Sequence, residues 1–153
     1  MEVKVNMRID TRYFGEVEIE EEKILHFEQG LFGFEEYKDF TVLYDNEGEE
    51  EPFFSWLQCV TEKGLAFPVV NPFKVKDDYD PIVEEALLEP IGECKAEDFL
   101  VFLMATVPSD PNQTTVNMKA PLIINTLNRQ GIQLIVENED YSIKHRVIQE
   151  KGK

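Results

Sequence analysis

The sequence predicts a mainly β fold: a small antiparallel β-barrel-like single domain over residues 1–150, with one or two short helices. Three observations lead there. The opening segment alternates apolar and polar residues with period two. A series of short apolar runs follows, separated by Gly, Pro, Asn and Asp clusters. The chain has 153 residues, 42% of them hydrophobic, which suffices for one core and falls short of two ordinary domains. Short strands at such spacing close into barrels or sandwiches.

Val3, Val5, Met7 and Ile9 alternate with Lys4, Asn6 and Arg8, the pattern of a half-buried strand. After a turn at Gly15, Val17 and Ile19 alternate with Glu16, Glu18 and Glu20, so the two segments pair as a hairpin whose acidic side faces water. Further strands are expected at 24–27, 40–44, 53–60, 65–70, 99–107, 115–118, 122–126 and 132–137. Residues 128–131, Asn-Arg-Gln-Gly, supply turn chemistry between the last two of the longer apolar runs. Asn71-Pro72 and Ala120-Pro121 mark strand ends, edges or bulges, because proline cannot donate to a ladder. Between Asp80 and Gly92 a short helix is expected, with Asp80 as N-cap, Pro81 in the first turn and Pro90 ending it near Glu89. A second short helix fits residues 34–40.

Charge narrows the function. Thirty-one acidic against fifteen basic side chains give a net charge of −16. Such a chain repels the phosphates of nucleic acid and of anionic membranes, so neither is expected as a direct partner. Residues 1–51 hold sixteen of the acids and five of the bases. No apolar run approaches the roughly 20 residues of a membrane span and no signal peptide is evident, so the expected location is cytoplasmic. Cys59 and Cys94 lack any metal-ligand or CxxC spacing and read as reduced structural thiols.

Catalytic signatures are missing from the sequence. The glycines of Gly30-Leu31-Phe32-Gly33 lack the spacing and the lysine of a phosphate loop and read as a tight turn. His26 and His145 are far apart, outside any HxH or HxxxH pattern, and His26 reads as a packed or edge residue. No catalytic, cofactor or metal residues are assigned. Attention falls instead on Phe53-Phe54-Ser55-Trp56-Leu57, where hydrophobes occupy both alternation classes: either both faces of that strand are covered or one is sticky. The adjacent acids Glu49, Glu50 and Glu51, with Phe53, Phe54 and Trp56, form one candidate partner surface. Asn117, Lys119 and Asn125, around Pro121, form a second, although their polar groups also suit strand-end hydrogen bonding.

Four blocks in order carry a family resemblance: residues 27–34 (FEQGLFGF), 56–58 (WLQ), 67–72 (FPVVNP) and 117–125 (NMKAPLIIN). Together with residues 129–135 and 141–143 they resemble the flagellar assembly factor FliW family over about residues 3–147. The resemblance implies a cytoplasmic, non-enzymatic protein, monomeric when free, without cofactors, that binds two proteins in alternation. One is flagellin, shielded before export; the other is the CsrA-type RNA-binding repressor of flagellin translation. A competing reading, a small-molecule-binding or hydrolytic barrel, calls for a cavity of roughly 300 Å³ or more with convergent polar groups. A third, an acidic decoy of nucleic acid, calls for acids spaced like phosphates.

Overall fold

The computed structural model describes residues 5–44, 53–93 and 95–147. Strands β1 (Asn6–Thr11) and β2 (Gly15–Glu20) form the expected antiparallel hairpin, which stands as its own two-stranded sheet. Thr11 closes its tip from a buried position, its Oγ1 donating to the Gly15 carbonyl at 2.7 Å and accepting from the Phe14 amide at 2.9 Å. Ile9 and Ile19 bury one face. Arg8, Glu16 and Glu18 occupy the other, exposed to water.

The remaining strands form one continuous sheet: β3 (Leu25–His26), β4 (Asp39–Leu43), β5 (Phe54–Cys59), β6 (Ala66–Val70), β7 (Phe99–Thr106), β8 (Thr115–Val116), β9 (Leu122–Asn125), β10 (Gln130–Gln133) and β11 (His145–Arg146). The long strand β7 closes the ring. Its first half, Phe99 to Phe102, pairs with β9, whereas Leu103 and Met104 pair with β6. The circuit β7-β6-β5-β4-β3-β10-β9 thereby returns to β7, with β8 and β11 added at its far end. One pairing departs from the antiparallel expectation: β3 and β10 run parallel, with Gln130 opposite His26.

Because alternate residues face opposite sides of a strand, the ring has two cores. Phe27, Phe40, Leu57, Val69, Leu122 and Ile124 fill its lumen and are all essentially inaccessible. Val70, Leu103, Ile123 and Ile132 point the other way, onto the outer wall, where Tyr79, Ile91 and the chain from Leu134 to Tyr141 cover them. All four residues of β9 are therefore buried. Pro68 sits inside β6 without breaking it. It lies opposite Trp56 where the two strands exchange no hydrogen bonds, so its missing N–H faces β7, one residue before pairing with β7 begins.

The first expected helix is present but begins later, as a 3-10 helix, and the second is absent. Residues 80–82 are extended, held by bonds from the Asp80 amide to the Tyr141 hydroxyl (2.8 Å) and from the Ile82 amide to Asn138 Oδ1 (2.7 Å). The Asp80 and Ile82 carbonyls, which would accept a helix's first bonds, are taken by Asn138 Nδ2 (2.9 Å) and the Glu137 amide (2.8 Å). Further along, the chain forms a 3-10 helix, Glu85–Ile91, with Pro90 inside it and no side-chain N-cap. Residues 34–40 hold no helix: a single turn closed by the Tyr37 amide on the Phe34 carbonyl gives way at Lys38, whose carbonyl accepts the Phe27 amide, to β4. The strand predicted at 115–118 stops at Val116 because Asn117 Oδ1 accepts the Lys119 and Ala120 amides, each at 3.0 Å, and turns the chain. The predicted strand 132–137 ends at Gln133, beyond which the amides of Leu134, Val136 and Glu137 bond to loops.

Candidate functional site

Three buried amide side chains decide how the loops sit on the barrel. Gln58 is 1% exposed; its Oε1 accepts the Arg12 amide at 3.0 Å, and its Nε2 lies 3.1–3.3 Å from the carbonyls of Cys59, Glu62, Lys63 and Leu65. It thus joins the tip of the β1–β2 hairpin to the β5–β6 turn. Gln133 Oε1 accepts the Phe32 amide at 2.8 Å while its Nε2 donates to the Ala120 carbonyl at 3.2 Å. Asn125 donates to the Ile91 carbonyl at 2.8 Å and accepts from the Leu127 amide at 2.9 Å.

The first predicted surface is divided by these arrangements. Glu49, Glu50 and Glu51 lie outside the described residues, as does Cys94. Phe53 and Phe54 meet edge to face at 4.8 Å and lean on the outer core, both half-buried. Trp56 is half-buried under Tyr13 from the hairpin tip, with ring centroids 4.3 Å apart. Leu57, on the opposite pleat, is in the lumen. Both faces of β5 are therefore in contact with protein, one fully and the other in part.

The second predicted surface is mostly internal. Asn125 is 1% exposed with its amide oxygen and nitrogen both engaged, so direct contact with a partner is corrected to a structural role. Asn117 and Lys119 are half-buried; the Lys119 ammonium donates to the Asn138 carbonyl. In the glycine turn, Gly30 and Gly33 adopt φ of 71° and 85°. Leu31 is buried, Phe32 is half exposed, and Phe34 meets Phe67 edge to face at 5.0 Å.

His26 sits at the end of β3 between two carboxylates, Nδ1 at 2.7 Å from Asp39 Oδ1 and Nε2 at 2.9 Å from Glu28 Oε1. Hydrogen bonding to Asp39 first, and to Glu28 second, raises its pKa above the usual 6.5. Because the folded state holds the proton more tightly, the stabilisation is complete below the unfolded pKa and is lost as pH rises through the folded value. The stability difference between wild type and His26→Gln, from urea unfolding, is expected to be greatest below pH 6.5 and to shrink above it. With the ring more than a third exposed, it should stay below about 1 kcal/mol. A constant difference across that range rejects the carboxylate clamp.

At the barrel mouth, a groove of about 530 Å³ opens between β2 and the ends of β4, β7 and β9. Leu100, Phe102 and Ile124 line it, with Glu18, Glu20, Glu22, Lys23 and Arg129 supplying its charges. Its size meets the expectation for a small-molecule site, but the lumen beneath is packed with side chains. Among the described residues, no three His, Cys, Asp or Glu side chains are grouped to hold a metal ion, and no helix is long and apolar enough to cross a membrane.

A filled barrel with a docked acidic hairpin, half-covered aromatics and an apolar mouth groove defines a β-barrel protein whose distinctive features lie on its outside. The family profile described as FliW protein matches residues 8–147. The chain is similar to the flagellar assembly factor FliW of Lachnoclostridium phytofermentans, 48% identical over 141 residues that cover 92% of this chain and 90% of that one. It is also similar to the protein of that name from Lachnospira eligens, 41% identical over 142 residues covering 92% and 94%. A crystal structure of the flagellar assembly factor FliW superposes with a TM-score of 0.84 at 34% identity, covering 95% of this chain and 99% of that chain. The chain belongs to the FliW family.

Proposed function

We propose that this protein is a cytoplasmic, non-enzymatic flagellar assembly factor that binds two polypeptides in alternation, flagellin and the CsrA-type translational repressor. Flagellin awaiting export occupies it and leaves the repressor active; export frees it to capture the repressor and restore flagellin translation. The reading is carried by the family match across residues 8–147. Charge supports it: a chain of net charge −16 is steered toward a basic RNA-binding protein while being repelled by the RNA itself. In this reading Glu49, Glu50 and Glu51 provide attraction, and the neighbouring Phe53, Phe54 and Trp56 provide apolar contact. Asn117 and Lys119 make up a second patch.

The test is co-purification of the full chain with each purified partner, then a challenge of the repressor complex with flagellin. Flagellin is expected to displace the repressor, and a stable ternary complex overturns alternation. Glu50→Lys combined with Glu51→Lys is expected to weaken repressor binding about tenfold at low salt and less at high salt, mainly through a slower association rate. Unchanged affinity at low ionic strength removes those acids from the interface.

A further inference from the structure

The mouth groove is bordered by two strand edges that, among the described residues, carry no further paired strand, although Thr41 Oγ1 of β4 donates to the Lys23 carbonyl at 3.1 Å. The Val60 amide bonds the Asp39 carbonyl, so residues 39, 41 and 43 of β4 direct their backbone groups to β5, and Val42 directs its N–H and C=O away from it. On that side β3 ends too early. It reaches β4 only at Phe40 and Asp39, and the preceding chain turns off through the 3-10 helix Glu21–Lys23. The hairpin shows the same alternation. The Glu21 amide bonds the Val5 carbonyl, which directs Ile19 and Val17 toward β1 and the backbone of Glu18 outward. Val42 and Glu18 line the same groove. The backbone hydrogen bonds found among the described residues include none to either on its groove side.

Resting on the proposed role as a polypeptide-binding protein, we infer that this groove takes up an extended segment of a partner protein as an added strand between β4 and β2, a segment in which apolar residues alternate with basic ones. A strand satisfies the two open edges, whereas a helix, whose backbone groups are already paired, leaves them unmet. Its apolar side chains face Leu100 and Phe102; Leu100 and the adjoining Tyr44 are 41% and 52% exposed, apolar surface that remains uncovered in the free chain. Its basic side chains face Glu18 and Glu20 of β2 and Glu22 of the following 3-10 helix, which line the groove together with Lys23 and Arg129. A second copy of this chain is a poor occupant, since its hairpin edge brings glutamates against glutamates.

The probe is a capped alternating Lys-Val heptapeptide, added to the full chain and monitored by amide NMR and hydrogen exchange. Protection of the Val42 and Glu18 amides is expected, together with shifts at Leu100. Methylating the peptide's edge-facing backbone nitrogens should weaken binding about tenfold. Equal binding of the methylated peptide, equal binding of a Glu-Val heptapeptide, or shifts confined to the outer hairpin face overturns the inference. Leu100→Asp separates this from the broader proposal. If purified flagellin and repressor bind this variant as they bind wild type, the groove is not where they dock and alternate binding still stands. If wild type binds neither protein, alternate binding fails and the peptide result alone decides the groove.

Discussion

Gly131→Ala is expected to destabilise the protein by about 2–3 kcal/mol, the cost of forcing an extra carbon into a packed core. Gly131 lies on β10 opposite Ile124, and a Cβ built there meets the Phe27 ring at 2.6 Å from Cε2 and 2.8 Å from Cζ. Phe27 has no room to yield. It is fully buried and stands edge to face against Phe40, with centroids 5.8 Å apart. The glycine is needed at this position because the ring takes the space of its missing side chain. A double-mutant cycle tests that cause: Phe27→Leu alone costs stability through the cavity it leaves, and combining it with Gly131→Ala should cost less than the sum of the two by about 1 kcal/mol or more. Strict additivity in urea denaturation means that the clash is relieved elsewhere and that the glycine serves another purpose.

Phe27 and Gly131 are also a measure of what can be read from the chain alone. Residues 24–27 and 132–137 each read as strand and each contains part of one, β3 at Leu25–His26 and β10 up to Gln133, although β10 begins at Gln130 inside the stretch read as a turn. That they run parallel and side by side across a hundred intervening residues is a matter of ring closure, which no local alternation encodes. The hairpin was legible because both of its strands carry period-two patterning and its turn lies between them. The region from Asp80 to Gly92 was legible only in part: a short helix is there, from Glu85 to Ile91, but it does not start at the cap. Good capping residues stand there, but Asn138 and Glu137, distant in sequence, take the Asp80 and Ile82 carbonyls first. The candidate surfaces divide along similar lines. Phe53, Phe54 and Trp56 are partly accessible because hydrophobes on both pleats of β5 and the residue before it outnumber what the core can cover. Asn125 has a short polar side chain whose fate depends on whether a carbonyl waits nearby, and the Ile91 carbonyl does. The mouth groove had no signal in the sequence, since it exists only where the hairpin edge is brought beside β4.

The hairpin's attachment yields the other large effect. Gln58→Leu is expected to cost about 2–3 kcal/mol, because the apolar replacement keeps the volume but leaves the Arg12 amide without its acceptor and several turn carbonyls without a donor. The loss should also be local. Besides Gln58, the hairpin tip is held by the Arg12 guanidinium donating to the Gly64 carbonyl at 3.0 Å and by Tyr13 resting on Trp56. Both are exposed contacts of small individual worth, so the tip should detach before the barrel melts. Trp56 is the single tryptophan in the chain, and its emission therefore reports on the Tyr13 contact directly. In the variant, its fluorescence should shift to longer wavelength at lower urea than the loss of β-sheet circular dichroism, separating two transitions. If Gln58 instead serves the barrel as a whole, both probes move together. Such a coincidence would mean that β2 is a rigid wall of the mouth groove, whereas separation means that its Glu18 edge can shift to meet an incoming strand.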